Sequence, residues 1–204
     1  MKTPDAALDI RTLGDFQITV NGKQVAKEWP NETLKVLFCS LLSPLDLSFS
    51  WDRICRALWG MPATRTSRRR LDENHIKPLN SFLVNELGFS PLISDREGIR
   101  IDQQCLNLDA IDFHNAVVDG LKQFSLGNKL TALENIHKAR LLYAGSFLPG
   151  VPGKIVASTR NELESMYRTV VSHAVPITQR FSTSAHSEAS TSTWTGSSQP
   201  PTSV

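Results

Sequence analysis

The longest regular pattern in the sequence is a helical one that runs from about Thr66 to Leu87 and stops at Gly88. Placed at about 100° per residue, its apolar side chains fall on one side of a helix and its polar side chains on the other. The apolar side consists of Leu71, His75, Ile76, Leu79, Phe82 and Leu83. The polar side consists of Thr66, Arg70, Glu73, Asn74, Lys77 and Ser81. A helix with one apolar face is stabilised by packing on a core, so the rest of the chain must supply that core.

Pro78 lies in the middle of this pattern. A proline inside a helix removes one backbone donor and crowds the carbonyl group four residues earlier, here that of Asn74, at a cost of about 3 kcal/mol if the site is exposed. Burial of the apolar side chains that follow, at about 1.5 to 3 kcal/mol each, can offset this cost. We therefore predict a bent helix rather than a broken one.

The elements before this helix begin with β structure. Apolar residues alternate up to Val20, and Asn21-Gly22 is the pair best suited to the positive φ angles of a tight hairpin turn. Two shorter helical patterns follow, each with a polar cap and a terminating residue. They are residues 34–42 between Asn31 and Pro44, and residues 51–58 between Ser50 and Gly60.

A second hairpin is predicted after the long helix. Residues 92–94 and 99–101 are short apolar strands that flank Asp95-Arg96-Glu97-Gly98, in which Gly98 is expected to take the left-handed turn position. Strand, helix, helix, helix, hairpin is the order of a winged helix-turn-helix, an α+β fold with small antiparallel sheets. We place this domain at residues 8–103.

A second region, residues 107–175, has the pattern of three helices. Their apolar positions are Phe113, Val117, Val118 and Leu121; Leu130, Leu133, Ile136, Ala139 and Leu141; and Ile155, Leu163, Met166, Tyr167, Val170 and Val171. Helices of this kind bury their apolar faces by stacking on neighbours, and three of them leave one face uncovered. We expect an exposed apolar stripe that docks on the winged domain or on a second copy.

Residues 176–204 form a third segment that holds 14 Ser or Thr and only two formally charged residues. Such a composition does not offset its own ordering entropy by apolar burial. It indicates a disordered tail without a function of its own, or the translated end of a truncated or frame-shifted chain.

The overall charge is nearly neutral, with 22 Lys and Arg against 20 Asp and Glu, so neither a polybasic tail protein nor an acidic disordered chain fits. No window of 18 consecutive apolar residues predicts a membrane span, and the first residues lack the apolar stretch of a secretory signal. We therefore expect a cytoplasmic protein. The three cysteines, Cys39, Cys55 and Cys105, are expected to be buried reduced thiols rather than disulfides or zinc ligands.

Basic residues are nevertheless concentrated around the long helix and the second hairpin. A helix that enters the major groove of DNA carries donors for base edges and phosphates, and arginine suits guanine, asparagine suits adenine and lysine suits phosphate. The candidate DNA-binding residues are Arg65, Arg68, Arg69, Arg70, Asn74, Lys77, Ser81, Arg96 and Arg100. The alternative is that these basic residues form an ordinary solvated helix start that binds no partner.

Several stretches, taken in order, resemble a known family. Residues 10–16, 21–22, 34–42 and 57–60 resemble the OmpR/PhoB-type winged helix of bacterial transcriptional activators of the antibiotic-regulatory class, with 75–83 as its recognition helix and 98–101 as the end of its wing. Residues 108–113, 139–150 and 160–163 resemble the bacterial transcriptional activator domain. The resemblance covers about residues 8–175 and implies a winged helix followed by an all-α, tetratricopeptide-like helical module.

Two departures from this family matter. Its recognition helix commonly carries arginines where this chain has Pro78 and Asn80, and its helical module normally continues through more helices. The chain therefore resembles the N-terminal part of a longer regulator. The expected partner is double-stranded DNA, with a homodimer or RNA polymerase as candidates for the helical module and no membrane. The alternative is a protein-interaction module whose winged helix no longer reads DNA.

No catalytic, metal or cofactor site is expected. The glycine-containing stretch 150–154 lacks the residue spacing of a phosphate loop, and His114 and His137 have no ligand partners at metal-binding spacing. Asp109 and Asp112 suit the first turn of a helix better than paired-carboxylate catalysis. We predict that the chain is not an enzyme.

Overall fold

A computed structural model describes residues 8–187, with side chains described for residues 8–172. It shows an α+β chain with two small sheets and several helices. The strands are β1 (Leu8–Arg11), β2 (Gln17–Val20), β3 (Lys23–Val25), β4 (Ser48–Ser50), β5 (Leu92–Ser94), β6 (Gly98–Ile101) and β7 (Leu106–Leu108). The helices are α1 (Glu32–Leu42), α2 (Trp51–Trp59), α3 (Arg65–Leu71), α4 (Lys77–Leu87), α5 (Asp109–Ser125), α6 (Lys129–Leu142) and α7 (Lys154–Ser187), with a π-helical segment at Asp72–Ile76.

The first sheet has the strand order β3-β2-β1-β7. Its predicted hairpin is confirmed, since Asn21 and Gly22 join β2 to β3 with φ angles of 50° and 76°. Strand β7 was not predicted; it lies parallel to β1, with Leu8 opposite Leu106. Leu106 lies between the two predicted regions and residues 107–108 were assigned to the helical one, but all three belong to the first sheet.

The two short helices begin and end as predicted. Asn31 Oδ1 accepts a hydrogen bond from the Leu34 amide at 2.9 Å at the start of α1. Ser50 Oγ does the same for the Arg53 amide at 3.2 Å in α2, and Gly60 ends that helix with a φ of 71°. All three cysteines are buried free thiols, and burial raises the pKa of Cys39 to about 12.

The second sheet, with order β4-β6-β5, contains the predicted hairpin and an unpredicted third strand. The expectation for Gly98 is wrong, because the left-handed glycines do not include it and it pairs with Ser50 as a strand residue. A Cβ atom built on Gly98 would lie 1.9 Å from the carbonyl oxygen of Phe49. Close approach of two strands, not turn geometry, requires glycine here. The turn itself is held by Asp95 Oδ1, which accepts the amides of Glu97 and Gly98 at 2.8 and 3.0 Å.

The long helix is continuous from Arg65 to Leu87, as expected for a helix that Pro78 does not break. The proline is accommodated by the π-helical turn just before it, in which the Lys77 amide donates to the Asp72 carbonyl five residues earlier. A π turn holds about one residue more than an α turn. Leu71 and Ile76, five residues apart, are therefore both buried on the same side.

The second region contains the three expected helices, α5, α6 and α7. The backbone of α7 remains helical as far as Ser187, beyond the boundary at residue 175 that we predicted. The rest of the predicted tail, residues 188–204, lies outside the described residues. The helix α7 packs against α1 as well as against α5 and α6.

The two regions share one hydrophobic core. Asp109, at the start of α5, accepts hydrogen bonds from the amides of Thr12 and Leu13 and from the Thr12 hydroxyl, at 2.6 to 2.9 Å. Residue Leu13 also forms a β-bridge with Phe147 in the connection between α6 and α7. A backbone bridge and a carboxylate thus fix the helical region against the first sheet.

The connection between α6 and α7 is held by contacts that explain why residue 145 is a glycine. A Cβ atom on Gly145 would lie 3.1 Å from the Cα atom of Gly14, whose amide donates to the Ser146 carbonyl at 3.0 Å. From the other side, the Arg160 guanidinium donates to three carbonyl groups, those of Phe147, Leu148 and Val151. The stretches that resemble the activator domain therefore have a structural role here.

Candidate nucleic-acid interface

The continuous helix from Arg65 to Leu87 presents its polar side to solvent. All but one of the candidate DNA-binding side chains on this helix are exposed. The exposed ones are Arg65, Arg69, Arg70, Asn74, Lys77 and Ser81. The helix starts with reciprocal hydrogen bonds, in which Thr64 Oγ1 accepts the Ser67 amide and Ser67 Oγ accepts the Thr64 amide, at 3.1 and 2.7 Å. This capping box sets where the arginine cluster begins.

Two of these cations form surface ion pairs within the helix. Arg69 Nε lies 2.9 Å from Glu73 Oε1, and Lys77 Nζ lies 3.2 Å from Asp72 Oδ2. The hydrogen bond from Arg69 lowers the pKa of Glu73, and the same bond raises that of Arg69. Solvent-exposed pairs of this kind are easily exchanged for other partners. The side chains of Arg69 and Lys77 therefore lie along the helix surface and remain exposed to solvent.

Arg68 is the exception on this helix, because its side chain is half-buried and turns toward the second sheet. Its guanidinium lies 5.0 Å from the ring centroid of Trp51, and Nη2 donates to the Arg96 carbonyl at 3.0 Å. The Trp51 indole nitrogen in turn donates to the Asp95 carbonyl at 3.0 Å. Arg68 and Trp51 thus hold the turn of the β5–β6 hairpin beside the start of the long helix, which favours a positioning role for Arg68.

The remaining two candidates, Arg96 and Arg100, lie on this hairpin and are exposed. Arg96 is at its turn, whereas Arg100 is inside β6 and pairs with Ser48 and Ile93. The turn also carries the exposed carboxylates Asp95 and Glu97, so the hairpin as a whole has no net charge. The amides of Gly98 and Glu97 hold the pKa of Asp95 below its usual value. Of the two arginines, Arg96 lies next to the helix start, because its carbonyl group accepts the hydrogen bond from Arg68.

The fold is similar to that of Mycobacterium tuberculosis EmbR. The structure it matches is that of EmbR in complex with a low-affinity phosphopeptide, with a TM-score of 0.55 and 18% sequence identity. The match covers 84% of this chain and 43% of the EmbR chain. The likeness therefore extends over more than either predicted domain alone, and at this identity it establishes the fold only. No protein-family model and no curated protein matches the chain significantly.

The described part of the chain contains neither a metal-binding cluster nor a membrane-spanning helix. Among its residues, no group of three or more His, Cys, Asp or Glu side chains could hold a metal ion. None of its helices is both long and apolar enough to cross a membrane. The sequence-based prediction that the chain is not an enzyme stays a prediction.

Trp51 is the residue whose role the sequence did not reveal. Trp51 is buried, whereas Trp29 and Trp59 are half-buried. Its contact with the hairpin turn was missed. A signal was available, because a buried indole N–H needs a hydrogen-bond acceptor and the following hairpin supplies free carbonyl groups.

Replacing Arg68 with Ala should loosen the hairpin turn. The variant loses one stacking contact and one hydrogen bond, so we expect the free energy of unfolding to fall by about 1 kcal/mol. Hydrogen exchange should become faster at two amides. The Asp95 amide donates to the Gly98 carbonyl across the turn, and the Trp51 amide, at the start of α2, donates to the Glu97 carbonyl. The control is Arg65→Ala, an exposed position one turn earlier. Unchanged exchange rates in the Arg68 variant would contradict the positioning role.

Proposed function

We propose that the chain is a sequence-specific, DNA-binding transcriptional regulator. The face formed by Arg65, Arg69, Arg70, Asn74 and Lys77 reads promoter DNA in the major groove, and the β5–β6 hairpin acts as the wing. The helical region mediates dimerisation or contacts with the transcription machinery. The resemblance to OmpR/PhoB-type activators of the antibiotic-regulatory class supports this proposal, and so does the likeness in fold to EmbR. The phosphopeptide belongs to the EmbR structure, and we do not propose it as a ligand of this chain.

The observation that carries the proposal is the exposed basic face of the helix beside an ordered hairpin. Major-groove reading needs a helix that projects from the domain with cations and amides along one side. Here the buried side of the helix is apolar, and the opposite side carries four exposed cations within residues 65–77, namely Arg65, Arg69, Arg70 and Lys77. The contacts of Arg68 and Trp51 keep the hairpin adjacent to that helix, so both elements can reach one duplex.

A mobility-shift assay on upstream fragments from the source organism, at low and physiological salt, tests this function. With about four phosphate contacts, the logarithm of the association constant should fall with the logarithm of salt concentration with a slope of about −3 to −4. Specific binding should survive excess unrelated competitor DNA. Absence of binding at low salt, or binding without any sequence preference, would contradict promoter reading.

Arg70 and Lys77 should differ in what their removal does. Arg70→Ala should relax the preference for the cognate sequence by about 10- to 100-fold, because a bidentate contact with guanine contributes about 1 to 3 kcal/mol of discrimination. Lys77→Ala should weaken binding to all sequences alike and lower the salt slope by about one, because lysine contacts phosphate. Competition titrations with cognate and scrambled duplexes measure both. If neither variant differs from the parent chain, this face does not bind DNA.

A second candidate function is a protein-interaction module that keeps the winged-helix fold without reading DNA. It is favoured by the carboxylates of Asp72 and Glu73, which neutralise two of the cations on the face, and by Pro78, which is exposed in the middle of it. In that case DNA binding would be weak and sequence-blind. A stable protein complex that survives nuclease treatment, without a bound DNA motif, would distinguish this function from the first.

A further inference from the structure

The outer face of α6 carries a stripe with an exposed leucine at each end, and nothing in the described part of the chain covers these leucines. Leu130 and Leu141 are 73% and 72% exposed, while Ala132, Ile136 and Ala139 on the opposite side are buried. At about 100° per residue, residues 130, 134, 137 and 141 fall within an arc of about 60°. The stripe therefore points directly away from the core of the chain.

The order of residues along this stripe is symmetric about its centre. It contains Leu130, Glu134, His137 and Leu141, with spacings of four, three and four residues. A two-fold axis between residues 135 and 136 therefore exchanges the two leucines and exchanges Glu134 with His137. An isologous interface requires this kind of self-complementarity, because each surface meets its own copy in reverse.

We propose that this stripe is a dimerisation surface on which α6 packs antiparallel against α6 of a second copy. Leu130 of one copy then lies over Leu141 of the other, about 16 Å from the equivalent contact at the far end of the stripe. Glu134 of each copy faces His137 and Lys138 of the second copy. In the structure, no ion pair engages Glu134 or Lys138 within the described residues, so both are available for contacts between copies.

Charge complementarity is what favours a second copy over other occupants. An apolar partner of unrelated sequence would need the leucines, but it would not need an acidic group between them that faces a histidine and a lysine of the opposite surface. The contact is smaller than a standard interface, so we expect a dissociation constant on the order of 10 to 100 μM. This inference deepens the part of the proposed function that concerns the helical region. Its test uses no DNA, so either idea can fail alone.

Sedimentation equilibrium of the full chain between about 10 and 300 μM tests the association itself. We expect a monomer–dimer equilibrium, and the double variant Leu130→Glu with Leu141→Glu should weaken it by at least about 30-fold. Met61→Glu is the matched control, because Met61 is 61% exposed and lies outside α6. Far-UV circular dichroism and thermal unfolding of each variant confirm that it is folded.

A charge exchange tests the orientation. Glu134→Lys alone and Lys138→Glu alone should each weaken self-association, because they place like charges opposite each other. Mixing the two variants should restore a dimer that contains one copy of each. In that dimer the two introduced side chains, a lysine and a glutamate, face each other, and the native Glu134 of one copy still faces the native Lys138 of the other. A monomeric parent chain would overturn the proposal in favour of another occupant, such as residues 188–204. A dimer that is unaffected by the leucine or charge variants would overturn it as well.

Discussion

Replacing Asp109 with Ala is expected to lower the free energy of unfolding by about 3 to 4 kcal/mol, because it leaves three donors without their acceptor. These donors are the amides of Thr12 and Leu13 and the Thr12 hydroxyl, and Thr12 is completely buried. Asp109 itself is half-buried, so water compensates only part of this loss. Urea unfolding gives the free energy, and a fall in melting temperature of about 10 °C should accompany it.

Asp112 provides the matched control for this prediction. It lies one turn further along α5, also in the first turn that favours acidic residues, but it is exposed. Asp112→Ala should therefore cost only about 0.5 kcal/mol, the contribution of a helix-dipole interaction. Asp109→Asn keeps one carbonyl oxygen as acceptor and should be intermediate. Equal effects of the two alanine variants would mean that Asp109 acts as an ordinary helix-start residue, and that the two regions are not joined through it.

The local elements of the fold could be predicted because each has a signal in its own sequence. The caps at Asn31 and Ser50 and the hairpin at Asn21-Gly22 are examples, as each is determined by a few neighbouring residues. Strands β4 and β7 could not be predicted in the same way. Each has three residues and is defined by its pairing with a strand distant in sequence, which a local pattern does not contain.

The π-helical turn is an intermediate case. The five-residue spacing between Leu71 and Ile76, followed closely by Pro78, was visible in the sequence. A strict period of 3.6 residues assigns both residues to one broad apolar side and hides the extra residue. The proline explains the extra residue, because a residue inserted before Pro78 relieves the crowding of the Asn74 carbonyl group. The prediction of an unbroken helix was sound, but the way in which the helix tolerates the proline was not foreseen.

For the candidate interface, the sequence predicted which residues share the outer side of the helix but not which of them point elsewhere. Arg68, Arg69 and Arg70 are adjacent and chemically identical. Only the positions of Trp51 and the hairpin turn distinguish Arg68, because they offer its guanidinium a ring and a carbonyl group. Selection among like residues thus depends on tertiary contacts, which is why the roles of single arginines required the structure.

Gly98→Ala should be the most damaging single-methyl change in the second sheet. The added Cβ atom would lie 1.9 Å from the Phe49 carbonyl oxygen and 2.9 Å from the Ser50 Cα atom, and all the atoms it meets belong to the backbone. No side chain can move aside, so β4 and β6 must separate and lose hydrogen bonds and the packing of Phe49 against Ile99. We expect a loss of about 3 kcal/mol or more in the free energy of unfolding.

The comparison with Ser48→Ala isolates this steric cause. Ser48 is exposed, lies in β4 two residues before Ser50 and faces Arg100 rather than Gly98, so its truncation should change stability by about 0.5 kcal/mol or less. Separation of the strands should also speed amide exchange at Trp51, which donates to the Glu97 carbonyl at 3.2 Å. Since the same amide reports on the Arg68 contact, Gly98→Ala should reproduce and exceed the effect of Arg68→Ala on the hairpin turn. A stable Gly98→Ala protein with normal exchange at Trp51 would show that β4 does not approach β6 this closely.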